Sequence, residues 1–124
     1  MGKTVISAPK VEHYTNVSDF LESNPHSATG WLYKIGPLCF VFLSARWGVY
    51  SGNTNYTMGK LKSAYRPVDT IYLPAFISRA SGVGINAPTY AGVNPNGDII
   101  MTTGAWNQEG AGFADVWACY FCEK

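Results

Sequence analysis

Charge is scarce in this chain. Nine Lys and Arg with eight Asp and Glu make up 14% of its 124 residues, where a globular protein usually carries ~25%. Disordered segments, coiled coils and helical bundles draw on Glu and Lys, so the chain falls outside those classes. A net charge of +1 gives no basic surplus for holding phosphates, which argues against nucleic acid and against an anionic membrane surface. Histidine is rarer still, with only His13 and His26, both near the N-terminus. A Ser or Cys nucleophile needs a base within hydrogen-bond reach, and the rest of the chain offers no histidine for that role. Asp69, Asp98, Glu109 and Asp115 are the carboxylates from which a glycosidase pair would have to come. Asp98 follows Asn96-Gly97 and reads as turn chemistry, and Asp115 opens a strand at a solvated position. No glycine-rich phosphate loop occurs. The expectation is a protein that is not an enzyme and uses no cofactor.

Long apolar runs are missing too. The longest covers residues 38–43, far short of the ~20 residues a membrane-spanning helix needs. Met1-Gly2-Lys3-Thr4-Val5-Ile6 offers no apolar stretch for a signal peptide, so synthesis in a cytoplasm is expected. The three cysteines, Cys39, Cys119 and Cys122, are an odd count and read as buried, reduced thiols. Cys119-x-x-Cys122 does not suggest zinc. Too few further ligands remain, and on a strand the two side chains point to opposite faces.

Glycine and aromatic residues are plentiful: 13 Gly, eight Tyr, six Phe and four Trp. They point to short strands joined by tight turns. Residues 31–35 alternate as a strand, and Gly36-Pro37 turns the chain into the strongest strand, 38–47. Its first half is apolar on both parities, so both faces are expected to be buried. Further strands are expected at 56–61, 69–76, 88–93, 98–103 and 114–122, with Pro74 marking an edge or a bulge. Asn94-Pro95-Asn96-Gly97 reads as a type I′ hairpin. In 114–122, Val116, Ala118 and Tyr120 share one face, and Trp117, Cys119 and Phe121 the other. The whole is all-β and reads as an antiparallel sandwich or barrel. Residues 1–27 differ: they are polar, carry a net −1 and hold both histidines. They read as a neck or linker, with Ser18 capping a single helical turn, leading into a domain over 28–124.

Loop aromatics are the most suggestive chemistry. Trp47 and Tyr50 flank one expected loop, which also holds Asn53, and Trp106 and Asn107 sit in another. Tyr and Trp give rigid contact area with a polar handle, which suits sugar faces and also subunit interfaces or core packing. Lys60, Lys62 and Arg66 form a local basic group that reads as a solvated strand edge.

Residues 30–124 resemble the C-terminal domains of bacteriophage tail fibres and receptor-binding proteins. Trp31-x-Tyr33-Lys34-Ile35-Gly36 resembles their opening, and Tyr56-Thr57-Met58-Gly59-Lys60-Leu61-Lys62-Ser63-Ala64-Tyr65-Arg66-Pro67 resembles their Tyr-Arg-Pro corner. Lys62 departs from that pattern, where a Pro is usual. Tyr90 to Ile100 is similar to the family's strand, Gly turn and Ile strand. The resemblance implies an antiparallel, jelly-roll-like β-sandwich head domain, homotrimeric, at the tip of a virion tail and made in the bacterial cytoplasm. It would bind a host surface polysaccharide or protein and join other tail proteins through the neck. Trp106, Asn107, Trp47, Tyr50 and Asn53 would then contact the glycan. The alternative is a trimerisation tip or baseplate connector with no ligand of its own. The residues themselves fit an oligomer: a strand apolar on both parities can face a core on one side and a trimer axis on the other.

Overall fold

Period-two alternation in the sequence becomes period-two burial in the fold. The computed structural model describes residues 10–47, 54–79, 89–103 and 112–122. Through them run the strands β1 (Val11–Tyr14), β2 (Leu21–Ser23), β3 (Thr29–Ile35), β4 (Leu38–Trp47), β5 (Asn55–Leu61), β6 (Ile71–Arg79), β7 (Thr89–Val93), β8 (Asp98–Thr103) and β9 (Gly112–Phe121). Single 3-10 turns lie at Val17–Asp19 and Ser63–Tyr65. Every strand pairing is antiparallel.

Two sheets pack as a sandwich. The first runs β1-β3-β4-β9 and ends on the second half of β6. The second begins with the first half of β6 and runs β7-β8-β5-β2. β6 therefore belongs to both: residues 71–74 pair with β7, and residues 75–79 pair with β9. Pro74 is the last residue on the β7 side of this crossover. A proline has no N–H to give a ladder, so a strand tolerates it where pairing changes hands. The edge or bulge expected at Pro74 is thus a corner between sheets.

The core lies between the inner faces. Leu32, Val41, Leu43 and Val116 come from the first sheet, and Met58, Leu61, Val93, Ile99 and Met101 from the second, all buried. Met58 and Leu61 are three residues apart and would face opposite ways on a regular strand. A bulge in β5 between Thr57 and Gly59 inserts Met58 as an extra residue and turns both side chains inward. Tyr120 is buried beside them and donates its hydroxyl to Tyr65 O at 2.6 Å. That bond ties β9 to the Tyr65-Arg66-Pro67 corner. Arg66 Nε in turn donates to Leu61 O at 2.9 Å.

Residues 11–23 do not stand apart as a neck. β1 extends the first sheet beyond β3, and β2 extends the second beyond β5. Between them Phe20 is fully buried, and its carbonyl accepts Lys62 N–H at 2.9 Å. The physical reason is edge protection. β3 and β5 would otherwise present open rows of backbone donors and acceptors, and short strands cover them. The helical turn expected near Ser18 exists, but Asn16 caps it: its side chain accepts Ser18 N–H at 3.1 Å. Asn24 closes the next bend by bonding both N–H and C=O of Ala28.

The β7–β8 hairpin departs from type I′. That turn needs positive φ at both central residues, and Pro95 locks its own φ negative. Asn96 is not in the left-handed region either; Gly97 alone is, at φ 98°. Gly97 N–H closes the turn on Asn94 O at 2.8 Å. The position demands glycine twice over, because a Cβ there would meet Leu61 O at 2.6 Å and Arg66 Nε at 2.8 Å.

Candidate functional site

The outward face of the first sheet is built from the residues that alternation leaves over. In β4, Cys39, Val41, Leu43 and Ala45 are buried, while Leu38, Phe40, Phe42 and Ser44 are half-exposed. Within one chain, then, 38–43 buries one face rather than the two expected from its apolar run. The other face remains apolar and open.

Register assembles that open face into rows. Val11, Ile35, Leu38 and Phe121 stand opposite one another across four strands. His13, Tyr33, Phe40 and Cys119 form the next row, and Trp31, Phe42 and Trp117 the third. The rings touch in sequence. His13 stacks on Tyr33 with centroids 3.9 Å apart and planes 6° from parallel. Tyr33 meets Trp31 edge-on at 5.4 Å. Trp31 then meets Phe42 at 5.8 Å, and Phe42 meets Trp117 at 5.1 Å. Large parts remain open to solvent: Trp117 is 46% exposed, Phe121 58% and Val11 59%.

The electrostatics of this face are spare. Among the described side chains in the rows and their neighbours Ser44 and Asp115, Asp115 alone carries a charge. Its Oδ1 is buried without a hydrogen-bond partner. An apolar area with one under-satisfied acceptor suits a surface that another molecule covers.

The remaining polar chemistry is structural. Arg66 Nη2 pairs with Glu22 at 2.7 Å, and Lys62 Nζ donates to Ser18 O at 2.9 Å. Both bind the 17–23 segment to the Tyr65-Arg66-Pro67 corner, so two of the three members of the basic group act as ties within the chain. Among the described residues no cluster of His, Cys, Asp and Glu could hold a metal, and no helix is long and apolar enough to cross a membrane. Burial raises the Tyr120 hydroxyl well above its usual pKa and keeps it a donor. The three thiols differ in setting: Cys39 is buried, Cys122 half-buried and Cys119 exposed. The expectation of three buried thiols holds only for Cys39, because β9 alternation turns Cys119 outward.

Of the loop residues expected to touch a ligand, Trp47 is the last residue of β4, paired with Gly112. Tyr50, Asn53, Trp106 and Asn107 lie outside the described residues. The flanks of their segments are described, and they gather. Trp47 and Arg79 both pair with Gly112. Thr103 pairs with Thr89 and donates its N–H to Thr54 O at 2.9 Å. Segments 48–53, 80–88 and 104–111 therefore each leave one of these two groups and enter the other. The aromatic face itself was half-visible in the sequence, as the outward parity of Trp117, Cys119 and Phe121. Its continuity over four strands depends on strand order, which no local pattern reveals. No protein-family profile matches the chain, and neither does any curated protein sequence.

Proposed function

We propose that this chain is an adhesion head of the kind borne at the tip of bacteriophage tails, assembled as a homotrimer and holding a host surface glycan. The observation that carries the assembly is the ring-lined outer face of β1, β3, β4 and β9, where Trp117 and Phe121 stand exposed beside the half-exposed Phe42 among almost uncharged neighbours. Covering such a face removes apolar area from water, at roughly 25 cal/mol per Å² before the costs of association. A second copy brings the same chemistry to the contact, and a closed assembly of three leaves no ring exposed at an open end. Glycan contact falls to Trp106, Asn107, Trp47, Tyr50 and Asn53. Their segments are anchored by strand ends that the register brings together. Rings would stack on sugar faces, and Asn amides would bond hydroxyls.

Two measurements test this reading. Light scattering of the purified chain should give the mass of three copies, and a mass of one copy overturns the assembly. Binding to an array of bacterial surface glycans should be detectable and should be lost in Trp106→Ala at unchanged mass. A trimer that binds no glycan is a structural tip or connector. Normal binding by Trp106→Ala overturns the site.

A further inference from the structure

Two thiols face each other at the end of the first sheet. Cys39, the second residue of β4, stands opposite Tyr120 of β9. Cys122 lies two residues beyond Tyr120, on the same side, and is held by its N–H to Pro37 O at 2.8 Å. Its Sγ is 3.2 Å from the same carbonyl oxygen and 2.9 Å from Cys39 Sγ. Both are free thiols. Cys119 is on the outward parity of β9 and cannot join them.

We propose that Cys39 and Cys122 are a modification site: a dithiol that low-molecular-weight disulfides oxidise to an internal disulfide, stapling the last strand of the sandwich to its central one. Closing the bond asks for an approach of roughly 0.9 Å, from thiol contact to the ~2.04 Å of a disulfide.

The settings of the two sulfurs dictate the order of events. Cys122 is half-buried and Cys39 fully buried, so a reagent meets Cys122 first. The Cys122 thiolate attacks one sulfur of oxidised glutathione, the S–S bond breaks, and one glutathione leaves as thiolate. Cys39 then gives up its proton and attacks the Cys122 sulfur of the mixed disulfide, expelling the second glutathione. Two protein thiols and one glutathione disulfide become one protein disulfide and two glutathione thiols. Burial pushes the Cys39 thiol well above its usual pKa, which keeps it from acting as the first nucleophile. A glutathione-reduced cytoplasm would keep the pair open, and an oxidising exterior would close it.

The staple would join residues 39 and 122, enclosing most of the sandwich in one covalent loop. Long loops gain most from closure, and a rise in melting temperature of roughly 5–10 °C is expected.

The test treats the native full chain with oxidised glutathione at neutral pH and reads intact mass, thiol count and a non-reducing peptide map. The expected product links the peptides of Cys39 and Cys122, is 2 Da lighter apart from any glutathione carried by the exposed Cys119, and after denaturation leaves Cys119 alone outside the staple, as a free thiol or as its glutathione adduct. Cys119→Ser should staple normally, whereas Cys122→Ser should not staple at all. Three thiols surviving, a glutathione adduct persisting on Cys122, or a link through Cys119 would each overturn the proposal. The wild-type mass and map decide the matter even where a variant fails to fold. None of these readouts depends on the oligomeric mass or on glycan binding.

Discussion

The two outer faces of this sandwich are made by the same alternation and end with opposite character. On the first sheet the outward positions are rings and aliphatics in continuous contact, from His13 through Tyr33, Trp31 and Phe42 to Trp117. On the second sheet the outward rows hold Tyr72 with Gly92 and Ile100, and Tyr90 with Thr102 and Asn55. Tyr72 is 76% exposed and Tyr90 51%, yet their row neighbours other than Ile100 are small or polar, and Thr102 donates its hydroxyl to Asn55 Oδ1 at 2.8 Å. A single pair of tyrosines beside small and polar residues is an ordinary solvated surface. A four-strand band of touching rings is not. Exposure alone therefore misleads: the most exposed ring among the described residues, Tyr72, lies on the face without a continuous ring band.

The largest expected effect breaks this contrast directly. Phe42→Glu places a charge in the middle of the ring band, beside Trp31 and Trp117. Assembly should be lost, because burying an unpaired carboxylate at an interface costs more than the ring contributed. Even the simple loss of a central aromatic anchor, at about 2 kcal/mol, shifts the dissociation constant ~30-fold. Tyr90→Glu on the other face should leave the mass unchanged. Sedimentation of both variants checks the pair, and equal behaviour would erase the distinction between the faces.

The next effect separates the face from the core beneath it. Leu43 follows Phe42 directly in β4 and is buried between the sheets. Leu43→Ala should lower unfolding free energy by about 2–5 kcal/mol. Phe42→Ala, measured at concentrations dilute enough for single subunits, should cost about 1 kcal/mol or less, the scale of a cross-strand pair on an open face. Urea unfolding of the two variants gives the comparison. If Phe42→Ala proved the costlier, the ring band would belong to the core of the subunit.

This adjacency also shows what the amino-acid pattern carries and where it stops. The strand 38–47 is readable in full, because ten residues without a breaker follow Gly36-Pro37. Which of its parities faces the core is not readable, because both are apolar. β1 and β2 are hidden by their polarity. Glu12 and His13, or Glu22 and Ser23, look like linker until β3 and β5 supply the ladders that order them. The Asn96-Gly97 signal locates the hairpin and misnames the turn, although Pro95 already excludes positive φ at its own position. The Cys39–Cys122 approach depends on β9 returning beside β4, a pairing between distant segments that no local motif encodes.

A smaller effect tests the role given to the second face. The Tyr72 ring lies over Gly92, whose hypothetical Cβ would stand 3.6 Å from Tyr72 Cε1. It also meets the Tyr90 ring edge-on at 6.5 Å. An aromatic ring over a strand glycine shields backbone that would otherwise be open to water. Tyr72→Ala should therefore lower stability by roughly 0.5–1 kcal/mol through the β6–β7 pairing, with no change in oligomeric mass. A change in mass would mean that the second face is also covered in the assembly.

The smallest effect belongs to His26, which lies on neither outer face, in the bend that Asn24 closes. Partial burial lowers its pKa below the ordinary value of 6.5. The unfolded chain then takes up the proton first as pH falls, near ~6.5, while the folded chain resists it. The stability linked to His26 is full above that pH and declines as the solution is acidified toward the folded value. Thermal unfolding from pH 7.5 to 5.5 should show a shallow downward slope that His26→Gln flattens. Oligomeric mass should stay constant over the same range in both proteins if the proposed contact is the ring band of β1, β3, β4 and β9, because His26 lies in the 24–28 bend outside those strands. A mass that fell with pH alongside the melting temperature would tie the 24–28 bend to the assembly and break the separation between the covered face and the rest of the surface.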